Sequence, residues 1–409
     1  MTIELITIGS ELLSGHTLNT NAHFIGGELA RVGLVLSRQV SIPDDHETII
    51  ATVREALARA DWVIVSGGLG PTNDDITKKA LARVFDRPLV FHDEILTELK
   101  ERFARAGRAA TPLLDTQALQ PRGAEFIPNP VGTAVGIILT QGPKTLVAVP
   151  GVPREMQPMI IDHIVPRIAA QTNVTTVSLT WSTTGWPESR LFETLEELIK
   201  ETPAVTVAFL PSERGVKLRF SATGPDARTT LENWVQTVRP RIMEALYAED
   251  DVALEVVVGK LLRERHLTIA VAESCTGGLI AKRLTDVPRA SAYVLAALVT
   301  YSNQAKIDLL GVDPQIIERH GAVSEPVARA MAEGAIARTG ADCAISVTGI
   351  AGPGGGTLDK PVGLVWIGVS QKTGGTTARQ FQFMGDREMI RERAAQAALN
   401  MLRVRLLTP

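Results

Sequence analysis

Over residues 1–170, short apolar runs alternate with stretches whose apolar positions recur every three or four residues. Residues 4–9 (ELITIG) read as a buried strand, 21–32 as a helix, and 34–44 (LVLSRQVSIPD) as a second strand and turn. Residues 47–60 (ETIIATVREALARA) set their apolar side chains along one helical face, and 61–68 (DWVIVSGG) form a third strand. This alternation predicts an α/β domain with a mostly parallel sheet and helices on both faces. Residues 171–250 change character. They read strand (175–184), helix (189–201), two strands (205–211 and 216–224) and helix (231–246), a small α+β unit. From residue 251 to 409 the α/β pattern returns, with strands at 267–274, 296–302, 343–352 and 362–370 and helices at 254–266, 276–287, 326–340 and 386–407.

Composition narrows the function classes. The 409 residues carry a net charge of −3 and no Lys/Arg block, so a strong non-specific hold on nucleic acid is not expected. The middle unit holds 8 Lys and Arg against 11 Asp and Glu. Its order of elements is that of nucleic-acid-binding KH modules, but it lacks the Gly-x-x-Gly loop with which those clamp a backbone, so a structural or linking role is expected. No apolar run is long enough to span a bilayer, and the start MTIELITIGSELLSG lacks the features of a signal peptide. Two distant cysteines, Cys275 and Cys343, make no disulfide framework. A cytoplasmic protein with no membrane partner is expected.

The densest motif of the first segment is Ser66-Gly67-Gly68-Leu69-Gly70-Pro71-Thr72-Asn73-Asp74-Asp75, between a buried strand and a helix. Glycines let a ligand approach the backbone, and a helix N-terminus favours an anion, so the loop reads as a phosphate cradle. It matches neither the Walker loop nor the dinucleotide Gly-x-Gly-x-x-Gly. Asp74 and Asp75 beside it suggest a hard divalent cation, which takes oxygen ligands and bridges phosphates; the alternative is a helix cap. Two further clusters read as ligand loops: Gly9 and Glu11 with Asn19 and Asn21, at the carboxyl end of the first strand, and Asn129 and Gly132, followed by PGVPREM at 150–156. Turn formation explains many of these residues equally well.

GSELLSG, the Asn-Thr-Asn, GGLGPTNDD and PGVPREM together resemble the molybdopterin-binding-like domain that begins members of the CinA (competence/damage-inducible) family. The resemblance implies a three-layer α/β domain that hydrolyses the pyrophosphate of ADP-ribose with a divalent metal (Mg, Mn or Co). Two positions depart from the family pattern. Thr116 stands where a lysine often precedes the Gln-Ala, and Val135 where a proline is usual.

In the last segment, Ser274 lies at a strand-to-helix junction in Ala272-Glu273-Ser274-Cys275-Thr276-Gly277-Gly278. Free backbone N–H groups there can hold an oxyanion, and Thr276, Gly277 and Gly278 let a ligand come close. The commoner role of such a serine is an N-cap. Cys275 is the competing nucleophile. No histidine stands in an obvious motif; the candidate base is Lys306, with Tyr301 to orient or relay the proton, in a stretch that ends a buried strand. Thr348, Gly349, Gly352, Gly354 and Gly355 follow another strand and read as a loop moulded to a phosphate or ribose, to which Arg387 adds a fork-shaped contact.

AESCTGG, TYSNQAKIDLLGV, HGAVSE and TGIAGPGGGTLDKPVG resemble the nicotinamide-nucleotide amidohydrolase domain of the same CinA family. The resemblance implies conversion of nicotinamide mononucleotide to nicotinate mononucleotide and ammonia, with Ser274, Tyr301 and Lys306 catalytic and no cofactor in this domain. It also implies a KH-like middle unit and pyridine nucleotides and ADP-ribose as small-molecule partners, and a homodimer is expected. Arg289 and Ala290 stand where the family has Gly and Ser, with Ser291 retained as a site residue. Two rival readings are a non-catalytic binding protein connected with competence or recombination, and activity confined to the N-terminal domain.

Overall fold

The computed structural model describes all residues except 73–74, 106, 108, 110, 172–175 and 409. Asp74 lies outside the described residues. The chain forms two compact units, Met1–Ser178 with Ser221–Thr229, and Leu179–Phe220 with Thr230–Pro409.

The first unit is built on a six-stranded sheet in the order Arg38–Ile42, Ile3–Ile8, Trp62–Ser66, Lys144–Val149, Gly136–Gln141, Glu125–Ile127. The first four strands run parallel, and Gly136–Gln141 runs opposite to both of its neighbours, Lys144–Val149 and Glu125–Ile127. Every residue of Ile3–Ile8 and Trp62–Ser66 is buried, because helices cover both faces. Ile6, Ile8, Val63 and Val65 pack with the helices His46–Arg59 and Thr77–Val84. Ile3, Leu5 and Ile64 face the other way, against Thr20–Arg31 and the helical stretch from Pro153. Asn19 and Asp45 cap the first helix of each layer through their side chains. The three-layer expectation holds, although the antiparallel half of the sheet was not legible in the apolar pattern.

The KH-type segment forms a four-stranded sheet, Val205–Ser212, Gly215–Thr223, Thr176–Thr183, Leu246–Ala248, with helices Glu188–Glu201 and Ala227–Ile242. The last segment is a five-stranded sheet in the order Val294–Val299, Ile269–Glu273, Cys343–Gly349, Leu364–Gln371, Gly375–Gln382. Its first three strands are parallel, so their carboxyl ends lie together. One face is large: Ile269, Val271, Ile345, Val347 and Ile367 pack against Leu254–Glu264 and Arg387–Leu407. The other is small. Ala270, Ala272 and Ala344 meet the alanine-rich helix Glu325–Thr339, which therefore lies close. Gly334 in that helix is required: a Cβ there would stand 2.0 Å from the carbonyl oxygen of Leu310.

Candidate active site

Ser274 immediately follows the buried strand Ile269–Glu273, and its N–H donates to Val347 O at 2.9 Å, the last bond before the chain leaves the sheet. Gly277 and Gly278, at φ +60° and +94°, then turn the backbone through the left-handed region into the helix Leu279–Thr285. Glu273 fixes this turn. Its carboxylate is fully buried and accepts from the N–H groups of Gly278 (3.0 Å), Ile280 (3.1 Å) and Ala281 (2.9 Å). The helix start is thus closed by a side chain from the preceding strand, which corrects the expectation that its N–H groups stand free. Gly277 N–H goes to Ser274 O and Leu279 N–H to Thr276 O. Among the described residues, no backbone carbonyl takes the N–H groups of Cys275 and Thr276, directly after the serine; that of Cys275 meets its own sulfur.

Lys306 reaches the serine from the helix Asn303–Leu310, which Ser302 caps. It is 1% exposed. Its Nζ lies 3.1 Å from Ser274 Oγ, 2.8 Å from Thr300 O and 3.3 Å from Tyr301 O. A neutral amine has two N–H donors and one lone pair. Two carbonyls therefore take its protons, and the lone pair is left for the serine hydroxyl. Burial lowers the Lys306 pKa below the ordinary lysine value, and outweighs the opposing influence of Cys275. Glu273, the nearest carboxylate in sequence to Ser274, is turned to the helix N–H groups instead. Cys275 is buried, and burial pushes its thiol up to about 12, so its sulfur stays protonated.

A cleft of about 190 Å³ opens on Ser274 and Lys306, lined also by Tyr301, Thr348, Gly349, Ala351 and Arg387. Tyr301 is 58% exposed, and its hydroxyl accepts from Arg387 Nη2 at 3.0 Å rather than meeting Ser274 or Lys306. Arg387 also donates to Gly352 O at 2.8 Å, so it ties the glycine loop to Tyr301. Gly354 and Gly355 lie further along that loop and do not line the cleft. The hydroxyl of Thr276 is buried without a partner. Ser291 is not brought to this cleft. It precedes the strand Val294–Val299, whose carboxyl end leads to Thr300, and six residues of strand at about 3.3 Å each put it at the other end of that strand. Arg289 and Ala290 share that far end, so their departures bear on the turn (Arg289 has φ +69°) and not on the cleft.

In the N-terminal domain, the carboxyl ends of the parallel strands gather Gly9, Gly67 and Gly151. Gly67 and Gly68 have φ +120° and +66°, and a Cβ on them would meet Ile8 O at 2.3 Å and Thr77 Oγ1 at 2.1 Å. Asn21 donates to Ser66 Oγ (3.0 Å) and Gly151 O (2.7 Å), with its Oδ1 buried and unpartnered. Two expected ligand residues prove to be braces. Asn19 uses its amide on Thr7, Ser41 and the N–H of Ala22. Asn129 uses its own on Ala134 O, Glu155, and the N–H groups of Val131 and Gly132, while Arg102 holds Gly132 O. Both are spent on turn formation. Asp75 accepts from Gly70 N–H at 2.8 Å, Thr72 N–H at 2.9 Å and the Thr72 hydroxyl. Glu11 is exposed, folded beside Gly9.

Comparison with known proteins now bears on identity. Residues 4–170 match the probable molybdopterin binding domain, 178–248 the damage-inducible protein CinA KH domain, and 251–406 the CinA C-terminal domain. A putative competence-damage inducible protein of Symbiobacterium thermophilum is 42% identical over 422 residues, spanning 100% of this chain and 99% of its own. The chain belongs to the CinA family. A CinA-like protein of Chlorobaculum tepidum is 44% identical over 414 residues, 98% of each chain. The crystal structure of the competence/damage inducible protein CihA from Agrobacterium tumefaciens is 42% identical over 37% of this chain and 93% of that one, with a TM-score of 0.37. The CinA chain is thus a mixed α/β protein with a molybdopterin-binding-like domain, a KH domain and a CinA C-terminal domain. No helix among its described residues is long and apolar enough to cross a membrane.

Reasoning from sequence missed two residues of these CinA sites. Glu273 is a carboxylate in an otherwise apolar strand just before a glycine turn and helix, the position from which an acid can cap. Lys78 shares the helical stripe of Leu81, Ala82 and Phe85 and is 6% exposed. A lysine on an apolar stripe was the signal available.

Proposed function

We propose that the C-terminal domain is an amidohydrolase that converts nicotinamide mononucleotide to nicotinate mononucleotide and ammonia. The observation that carries this reading is a buried lysine, with no carboxylate partner among the described residues, 3.1 Å from a serine hydroxyl at the carboxyl ends of parallel strands. Lys306, neutral before attack, takes the Ser274 proton while Oγ bonds to the carboxamide carbon. The carbonyl oxygen becomes an oxyanion, for which the N–H group of Thr276 is the unspent donor and that of Cys275, which meets its own sulfur, adjoins it. The C–N bond then breaks, and Lys306 returns the proton to the leaving ammonia. Water attacks the nicotinoyl ester with Lys306 again as base, releasing the acid and restoring Ser274. Tyr301 and Thr300 hold the amine through their carbonyls. With its hydroxyl on Arg387, Tyr301 is assigned to positioning rather than to relaying the proton.

Whole-ligand pockets run from about 300 to 1,000 Å³, so the cleft of about 190 Å³ suits the carboxamide-bearing ring. In this reading the ribose and 5′-phosphate extend toward Arg387 and the glycine loop. Incubating the protein with a panel of pyridine nucleotides and measuring ammonia tests the reading: release from nicotinamide mononucleotide is expected, and its absence from all members of the panel contradicts it.

The glycine loop 67–70 favours a second, phosphate-bearing ligand in the N-terminal domain, and ADP-ribose is the reading we propose there. A metal fits the described residues poorly. Asp75 spends both oxygens on its own loop, and no cluster of three or more His, Cys, Asp or Glu among the described residues can hold an ion. No step is therefore routed through a metal.

A further inference from the structure

Buried polar side chains almost always find partners, because an unpaired one is costly. Gln117 is an exception in the N-terminal domain. It is fully buried in the short helix Asp115–Ala118, and neither its Oε1 nor its Nε2 meets a partner among the described residues. The residue before it, Thr116, gives its carbonyl to Lys78 Nζ at 2.7 Å. An ammonium has three donors, and this is the one Lys78 bond among the described residues. Two elements thus bring unspent hydrogen-bonding capacity to adjoining residues: a cation from one, a whole amide from the other.

Lys78 adjoins the glycine loop through its own helix. Lys78 is the second residue of the helix Thr77–Val84, and Thr77 donates its N–H to Gly68 O (3.2 Å) and its hydroxyl to Gly67 O (3.0 Å). Asp75, which bonds Gly70 and Thr72, is the carboxylate whose field reaches Lys78.

We propose that Lys78 and Gln117 are recognition residues for a phosphoanhydride ligand of the glycine loop, Lys78 pairing with a phosphoryl oxygen and the Gln117 amide with an adjoining polar group of the ligand. The proposal rests on the reading that this loop takes a phosphate. Charge-assisted bonds to phosphate are the strong ones, so Lys78 sets affinity. Gln117 is unsatisfied in the free protein and becomes paired on binding, so it trades stability of the free state for recognition.

The test is calorimetric titration of the full chain with inorganic pyrophosphate and with ADP-ribose, alongside thermal unfolding of the free protein. Lys78→Met is expected to weaken both ligands by about tenfold or more. Gln117→Leu is expected to raise the unfolding temperature of the free protein while weakening ADP-ribose by about fivefold or more. Ammonia release in the C-terminal domain should be unchanged in both, which controls for folding. Wild-type affinity for pyrophosphate in Lys78→Met, or wild-type affinity for ADP-ribose in Gln117→Leu, overturns the proposal while leaving the glycine-loop reading in place. If the unaltered protein binds neither ligand, that reading and the proposal fall together.

Discussion

Lys306 shows how one side chain couples stability to chemistry. Its pKa is lowered in the folded state by burial, whereas an unfolded lysine titrates near about 10.4. Between those values the unfolded chain binds more protons, so stability rises as pH increases through that window and the cost of burying the group is greatest below its folded pKa. Lys306→Met removes the titration. Its unfolding temperature should exceed that of the unaltered protein at neutral pH and lose the dependence on pH above it; a lower melting point throughout would mean that the ammonium is well accommodated. For the same reason the ascending limb of kcat/KM should report a group below free lysine, provided chemistry limits that parameter. Lys306→Arg should lose at least about 10³-fold, since a guanidinium stays protonated. Cys275→Ala should keep activity within a few-fold, because its thiol titrates at about 12 and cannot ionise near neutrality. The pairing of Ser274 with Lys306 was read from the lack of a histidine in any motif and from a lysine at the end of a buried strand, and the family resemblance added to it. Thirty-two positions separate them, and no local periodicity encodes a contact made by two different strand ends. The direction of the Tyr301 hydroxyl, toward Arg387, was not legible at all.

Elements deliver these residues, and each can be broken at one place. The helix Leu279–Thr285 starts on the Glu273 carboxylate. Glu273→Ala leaves three N–H groups without that acceptor and should cost about 3 kcal/mol or more, read as a fall in urea midpoint together with loss of ammonia release. Unchanged stability would show that the turn is held by its glycines alone. Gly334→Ala should destabilise by about 1–3 kcal/mol, since its Cβ would fall 2.0 Å from Leu310 O and the helix Glu325–Thr339 would have to lift from its alanine face. Strong periodicity made the long elements legible, as in His46–Arg59 and Glu188–Glu201. The strand Gly375–Gln382 escaped because an edge strand covered on one side, with Thr, Arg and Gln along it, has no apolar run to betray it. The short strands Leu89–Phe91, Leu119–Pro121 and Glu125–Ile127 have three residues each, too few for a period-two pattern to register.

At the scale of the whole chain, two candidate sites lie on different sheets and rest on different chemistry. The serine–lysine cleft takes its base, nucleophile and oxyanion donors from the C-terminal domain, with no ion required in the proposed steps. Chelator should therefore leave ammonia release unchanged; its abolition by EDTA and restoration by a divalent cation would require a different electrophile. The central claim is that Ser274 and Lys306 deamidate a pyridine nucleotide. Its most direct test is ammonia release from nicotinamide mononucleotide at neutral pH by the unaltered protein and by Ser274→Ala, side by side. The account predicts steady release from the first and a rate lower by at least about 10³-fold from the second, with nucleotide binding retained. Equal rates from the two proteins, or none from the unaltered one, would contradict it.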